Sequence, residues 1–354
     1  MNSIRALAVV VTLAVIAGSA MGQQGGDTLP AVPRFERLIR TNVDRTSPAG
    51  TLATWTYDWT YSGNGDTYSA AVIGADPTTD VTTTIPVYLI PVSLHVGGDE
   101  GATFSPETLQ SNGKSALTNT KDSPLLKDLT FDEAGTDLGN TQYIDAYQRA
   151  NFWSSASTNT KWHTILGTPT VLPLQFIKVP AGYGRVGVEF GITVALAHIG
   201  FIDDRLQQII EDFAEITPNA LVIFQLYNTY MTQDGECCIG GYHSVTGGGQ
   251  VYMAFSYVST PGKFAEDVDA LSHELAESVM DPFTNNNSPC GLLEVGDPLE
   301  GDANYGAYPY VRDGFTYHLQ DLTFITYFGA PATTSLASRT TFQGKALEVC
   351  ENGS

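Results

Sequence analysis

Residues 219–230 read NALVIFQLYNTY, a short apolar run that fits a strand buried on both faces. A strand buried on both faces needs paired neighbours, so this run commits the chain to a sheet inside a core. Other runs qualify as those neighbours: IPVYLIPVSLHV from Ile85, TVLPLQFIKV from Thr170, RVGVEFGITVAL from Arg185 and QVYMAFSYV from Gln250. Pro86 and Pro91 place the first of these at a sheet edge or bulge. Two helices stand between the strands. TQYIDAYQRANFWSSA is one, and FIDDRLQQIIEDFAEI is the other, with Ile202, Leu206, Ile209, Ile210, Phe213 and Ile216 on one stripe. Strands and helices mix without a regular alternation, so the expected class is α+β, a mixed sheet with an irregular C-terminal region.

The first 22 residues carry Arg5, then an apolar run from Ala6 to Ala17, then Ala20 and Gly22 in a small-x-small pattern. This reads as a secretory signal peptide, too short for a membrane span, and it places the mature protein outside the cytoplasm. Residues 23–80 are rich in Thr, Ser, Gly and Asp and read as an N-terminal extension; 81–354 form the main domain. A net charge of −21 argues against nucleic acid or an anionic membrane as partner. Four cysteines in an exported chain suggest two disulfides. A bond between neighbours Cys237 and Cys238 is strained, so each is expected to reach Cys290 or Cys350, with the pairing open.

The chemistry concentrates in ALSHELAESVMDP, residues 270–282. Thr260 can cap a helix and Pro261 suits its first turn; Pro282 stops it after about Met280. At roughly 100° per residue, Phe264, Val268, Leu271, Leu275 and Val279 share one side. His273 and Glu277 stack on the other, with Glu266 and Asp269 near their line and Glu274 a quarter-turn round. A solvated acidic face accounts for the acids but leaves His273 to chance. A metal site accounts for His273 and Glu277 as two ligands and Glu274 as the base beside them. Downstream, CGLLEVGDPLEGD offers Glu294, Asp297, Glu300 and Asp302. Leu292, Leu293 and Val295 would bury Glu294, and a buried carboxylate needs a partner, so Glu294 is the expected third ligand and Asp297 its alternate.

His273-Glu274 on a helix preceded by QVYMAFSYV resembles the zincin metallopeptidases, in which an edge strand lines the cleft and the helix carries ligand and base. Glu277 stands where that pattern has a second histidine. The segment His273-Glu274-Leu275-Ala276-Glu277, then Asp281-Pro282, then Glu294, Asp297, Glu300 and Gly301, also resembles the EXORDIUM or phosphate-induced secreted proteins and their bacterial exported relatives. That likeness covers about thirty residues, and Leu299 replaces a cysteine of the family pattern, which leaves Cys290 as the disulfide partner there. The zincin resemblance implies a zincin-like fold and an exported metal-dependent hydrolase, a peptidase acting on an extracellular peptide. A divalent cation is implied as cofactor, zinc first, with manganese or calcium as alternatives. The other reading is a non-catalytic exported binding or cell-surface protein whose metal is structural. Among the remaining histidines, His95 and His198 read as core residues, His163 as unremarked, and His243 as a loop residue near the cleft; Tyr317 and His318 are candidate oxyanion donors.

Overall fold

The structure, a computed structural model, describes residues 31–38, 52–302 and 306–350. The signal-peptide segment lies outside them. The described chain is mostly β, and its core is one mixed sheet of eleven strands. Along the main path the order is Thr170–Val171, Val87–Val96, Leu221–Tyr227, Val251–Tyr257, Glu236–Val245, Thr229–Gln233, Ile192–His198 and Gly184–Glu189. The sheet is nearly closed, because the hairpin at its far end returns beside Val87–Val96. Five two-stranded ribbons decorate it.

This corrects the α+β, zincin-like expectation. Helices do not form a supporting layer here, and the sheet curls on itself instead. The missing strands are either short or interrupted by Gly and polar residues, so they carry little periodicity. ECCIGGYHSV is an example: it spans Glu236–Val245 and its last nine residues are buried.

Leu221–Tyr227 is buried at every position, with parallel partners on both sides. Val87–Val96 is interior as well. Its outer neighbour is broken into Thr170–Val171, which ends opposite Leu89, and Gln175–Lys178, which begins opposite Val92. Pro91 sits at that break, where its missing N–H leaves no ladder bond unmade.

The site helix is shorter than expected. It runs Asp269–Met280, not from Pro261. Ala265 at φ 59° and Asp267 at φ 43° turn residues 260–268 into a loop, tied by Asp267 N–H to the Val258 carbonyl. All twelve helix residues are buried. The helix packs on Val251–Tyr257 and Glu236–Val245, and on Phe315–Gln320 and Thr67–Ile73. Its polar side therefore faces protein, not water.

The N-terminal stretch joins the body. Ala31–Leu38 runs parallel to Glu236–Val245. The hairpin Thr54–Thr60/Thr67–Ile73 buries Trp59, whose indole N–H donates to the Phe328 carbonyl at 3.2 Å. Asn286 clamps the same hairpin, accepting from Ala71 N–H and donating to its carbonyl.

The disulfide expectation is also corrected. Cys237 bonds Cys238, and Cys290 bonds Cys350. Cys237 lies inside the sheet between Ala31 and Thr232, whereas Cys290 and Cys350 line one cleft with Cα atoms 6.0 Å apart.

Candidate metal centre

His273 lies in the second turn of the buried helix. Its Nδ1 is 2.6 Å from Gln320 Oε1, and the Gln320 amide N–H donates to the Gly296 carbonyl at 3.0 Å. That second bond fixes the amide, so Gln320 Oε1 can only accept, and His273 Nδ1 carries the proton. Gln320 is itself held: its N–H donates to Ser272 Oγ, and its carbonyl accepts from Tyr143 Oη at 2.6 Å. In the neutral tautomer that this bond selects, Nε2 carries the lone pair.

That lone pair faces acceptors. Nε2 is 3.1 Å from Glu277 Oε1 and 3.5 Å from Asp297 Oδ1, and it is buried without a hydrogen-bond partner. Two ligands about 2.05 Å from one zinc ion stand about 3.3 Å apart at a tetrahedral angle, so these gaps match ligand-to-ligand edges. Glu294 joins from the same loop: Glu277, Glu294 and Asp297 each offer an oxygen within 4.8 Å of the others. His273, Asp297 and Glu300 do the same. Of the four ligands expected from the sequence, Glu277 and Asp297 each lie near His273, and Glu294 lies near Glu277 and Asp297. Gly296 makes the approach possible, since a Cβ there would overlap the His273 ring. Its N–H donates to Glu277 Oε1 at 3.1 Å.

Glu274 is held from the neighbouring strand. Its Oε2 is 3.2 Å from His243 Nδ1, which also lies 3.4 Å from Glu277 Oε2. His243 is fully buried on the strand beside the helix, not in a loop. Gly241, two residues before it, leaves the space for Glu274; a Cβ there would come within 2.9 Å of Glu274 Oε1. That Oε1 has no hydrogen-bond partner.

Burial disfavours charge on His273 and His243, but the adjacent carboxylates outweigh it and hold both imidazoles well above their usual range. Glu277 is the reverse case: burial pushes it up, and the two histidines pull it well below the carboxylate range. Burial lifts the Glu274 carboxyl to about 7 against the opposing His243 bond. The carboxylates here therefore favour positive charge on the imidazoles beside them.

Sequence reasoning missed three neighbours. His243 was placed in a loop because the two glycines before it resembled loop residues. Gln320 belongs to no ligand pattern. Phe35 packs against His273 with ring centroids 4.1 Å apart and planes tilted by 39°, from a segment far away in sequence. A cleft of about 600 Å³, lined by Cys290, Glu294, Asp297, Tyr327 and Cys350, borders the group at Glu294 and Asp297. The Asp297 side chain is 45% exposed there.

The other histidines do different work. His198 is exposed and caps a helix, accepting from Gly200 N–H, and His95 is half-buried beside Thr103 and Gly98; neither is a core residue. His163 bonds the buried Asp145 at 2.7 Å. His318, proposed as an oxyanion donor, instead lies 2.7 Å from Asp267 at a separate cavity of about 530 Å³. No family model, curated protein or solved structure matches this chain, so the resemblances rest on the quoted residues alone.

Proposed function

We propose that the protein is an exported, metal-dependent hydrolase acting on a peptide or related carbonyl substrate. The observation that carries this reading is the cluster at His273 Nε2, buried and 3.1 Å from Glu277 Oε1 and 3.5 Å from Asp297 Oδ1. A buried imidazole nitrogen facing two carboxylates needs a positive charge between them, a proton or a metal ion, and the ligand-edge spacing suits the metal. His273, Glu277 and Asp297 or Glu294 would hold a divalent cation, and a nitrogen among the donors suits zinc or manganese better than calcium. When bound, the cation supplies polarisation of the scissile carbonyl.

The chain's own residues supply the rest. Gln320 fixes the tautomer and orientation of His273. Glu274, with its carboxyl near neutrality and one oxygen unpartnered, is suited to accept a proton from the attacking water and pass it to the leaving group. His243 holds Glu274 in place. Asp297 borders the cleft through which substrate would arrive.

Complete burial of His273, Glu274 and Glu277 favours a second reading, a structural metal in a non-catalytic exported binding protein. Metal analysis of purified protein tests the shared part. Wild type is expected to hold about one divalent ion per chain and His273→Ala none. Gln320→Leu, which frees the His273 tautomer, is expected to weaken metal affinity by about 10- to 100-fold. Metal-free wild-type protein would sink both readings. Bound metal without turnover of any peptide, ester or amide library would favour the second.

A further inference from the structure

The strand Ala31–Leu38 is attached in an uncommon way. It pairs in parallel with Glu236–Val245, from Ala31 beside Cys237 to Leu38 beside Ser244. Midway, Phe35 is 4% exposed, its ring tilted 39° against His273 with centroids 4.1 Å apart, and 5.0 Å from the Phe264 ring. The seat for that ring is built into the sheet. Gly240 has no side chain, and a Cβ there would lie 2.9 Å from both Phe35 and Phe264. The Phe35 backbone N–H donates to Glu300 Oε1 at 2.5 Å, beside the candidate ligands. Arg34 reaches Glu36 and, at the rim, Glu236 at 3.4 Å.

A strand partner offering main-chain bonds, one deep ring seat and a charged rim is how proteins bind extended peptides by strand addition: the backbone gives affinity and alternate side chains give specificity. The seat lies directly over His273, so an occupant brings its backbone to the candidate centre. We propose that the groove along Glu236–Val245 is a peptide-binding site that selects an aromatic side chain over His273. Ala31–Leu38 is its built-in occupant, which an incoming extended peptide displaces. The inference deepens the hydrolase reading by naming its substrate class, an extended peptide with an aromatic residue, preferably preceded by a basic one.

Self-occupancy predicts a measurable penalty, because the apparent affinity of an outside peptide falls by the fraction of molecules with an open groove. The probe is a fluorescein-labelled peptide of sequence AVPRFERL, titrated against full chains by polarisation after treatment with chelator. Phe35→Ala is expected to bind it at least about tenfold more tightly than wild type. The same peptide with alanine in place of phenylalanine should not bind. Phe35→Leu, which keeps an apolar filler, should fall between. Equal weak binding by all three folded proteins would overturn the proposal. So would failure of both variants to fold by circular dichroism, since the segment would then be an integral strand. Binding is read without metal, so a metal-free wild type sinks the hydrolase reading alone, and a metal-loaded chain whose Phe35→Ala form ignores the peptide sinks this one alone.

Discussion

Glu274 is the residue on which the two functional readings part. Its Oε1 is buried and unpartnered, and its carboxyl is raised to about 7 by burial, opposed by the His243 bond. A proton acceptor must be ionised, so activity should rise with pH through about 7 and level off above it. Glu274→Gln is expected to lower kcat by about 10²- to 10⁴-fold, with metal content unchanged. Steady-state rates across pH 5–9 and metal analysis of the same samples check this together; a variant at full rate would remove Glu274 from the chemistry. Asp321 carries a prediction about stability. It is fully buried, and burial raises its carboxyl to about 6 even though the Gln343 and Leu322 N–H groups donate to it. Between the unfolded value near 4 and about 6, the folded protein holds a proton that the unfolded chain has lost. Stability therefore falls as pH rises through that window, by up to about 3 kcal/mol. Asp321→Asn cannot ionise and should flatten this part of the curve, as read from urea midpoints at pH 4.5, 5.5 and 7. Residue identity made His273, Glu274, Glu277, Glu294 and Asp297 legible because metal chemistry restricts donors to a few side chains. It left Gln320 and Phe35 invisible, because an amide and a ring acquire their roles only from where the fold puts them.

Elements were legible where a period was clean. Ile199–Asp212 is a helix with Ile202, Leu206, Ile209 and Ile210 buried, while Phe213 and Ile216, expected on the same stripe, lie beyond its end. The site helix was found but overextended, since Thr260 and Pro261 look like a helix start whereas Ala265 and Asp267 take left-handed backbone. Its polar side was open to two readings, a solvated acidic face and a metal site; the strands TYSAAVI and FTYHLQ that pack on the helix carry no mark of that role. The two disulfides differ in what they connect. Cys290–Cys350 spans 60 residues, while Cys237–Cys238 spans one. Closing a loop of that longer length removes about 4 kcal/mol of unfolded-chain entropy. Cys290→Ala/Cys350→Ala should therefore lower the guanidinium midpoint sharply. Cys237→Ala/Cys238→Ala frees almost no loop and should cost only what repacking costs. A larger loss from the adjacent pair would show that loop closure is not what these bonds contribute.

At the scale of the whole molecule, the sequence indicated a sheet-centred core but not its closure. Apolar runs announce that strands are buried; they do not say whether the first and last neighbours meet. That depends on twist accumulated over many short strands. The candidate centre sits at the junction of this sheet and the hairpins, so a bound ion would clamp both. Ligand linkage then adds about 4 kcal/mol when free metal exceeds its dissociation constant a thousandfold. Chelator is expected to lower the melting temperature of wild type and to leave that of His273→Ala unchanged, as differential scanning calorimetry would show. An equal shift in both would place the stabilising ion elsewhere.

The groups around His273 come from Phe35, His243, the helix, the Glu294–Glu300 loop and Gln320. They span nearly the whole polypeptide, and the proton on the imidazole is fixed only when the hairpin Phe315–Gln320 has docked. No N-terminal fragment ending before residue 320 can own a finished centre. A growing chain has nothing to load while it is being made, so the ion would be chosen by whatever metals surround the completed molecule at the place where its last hairpin closes.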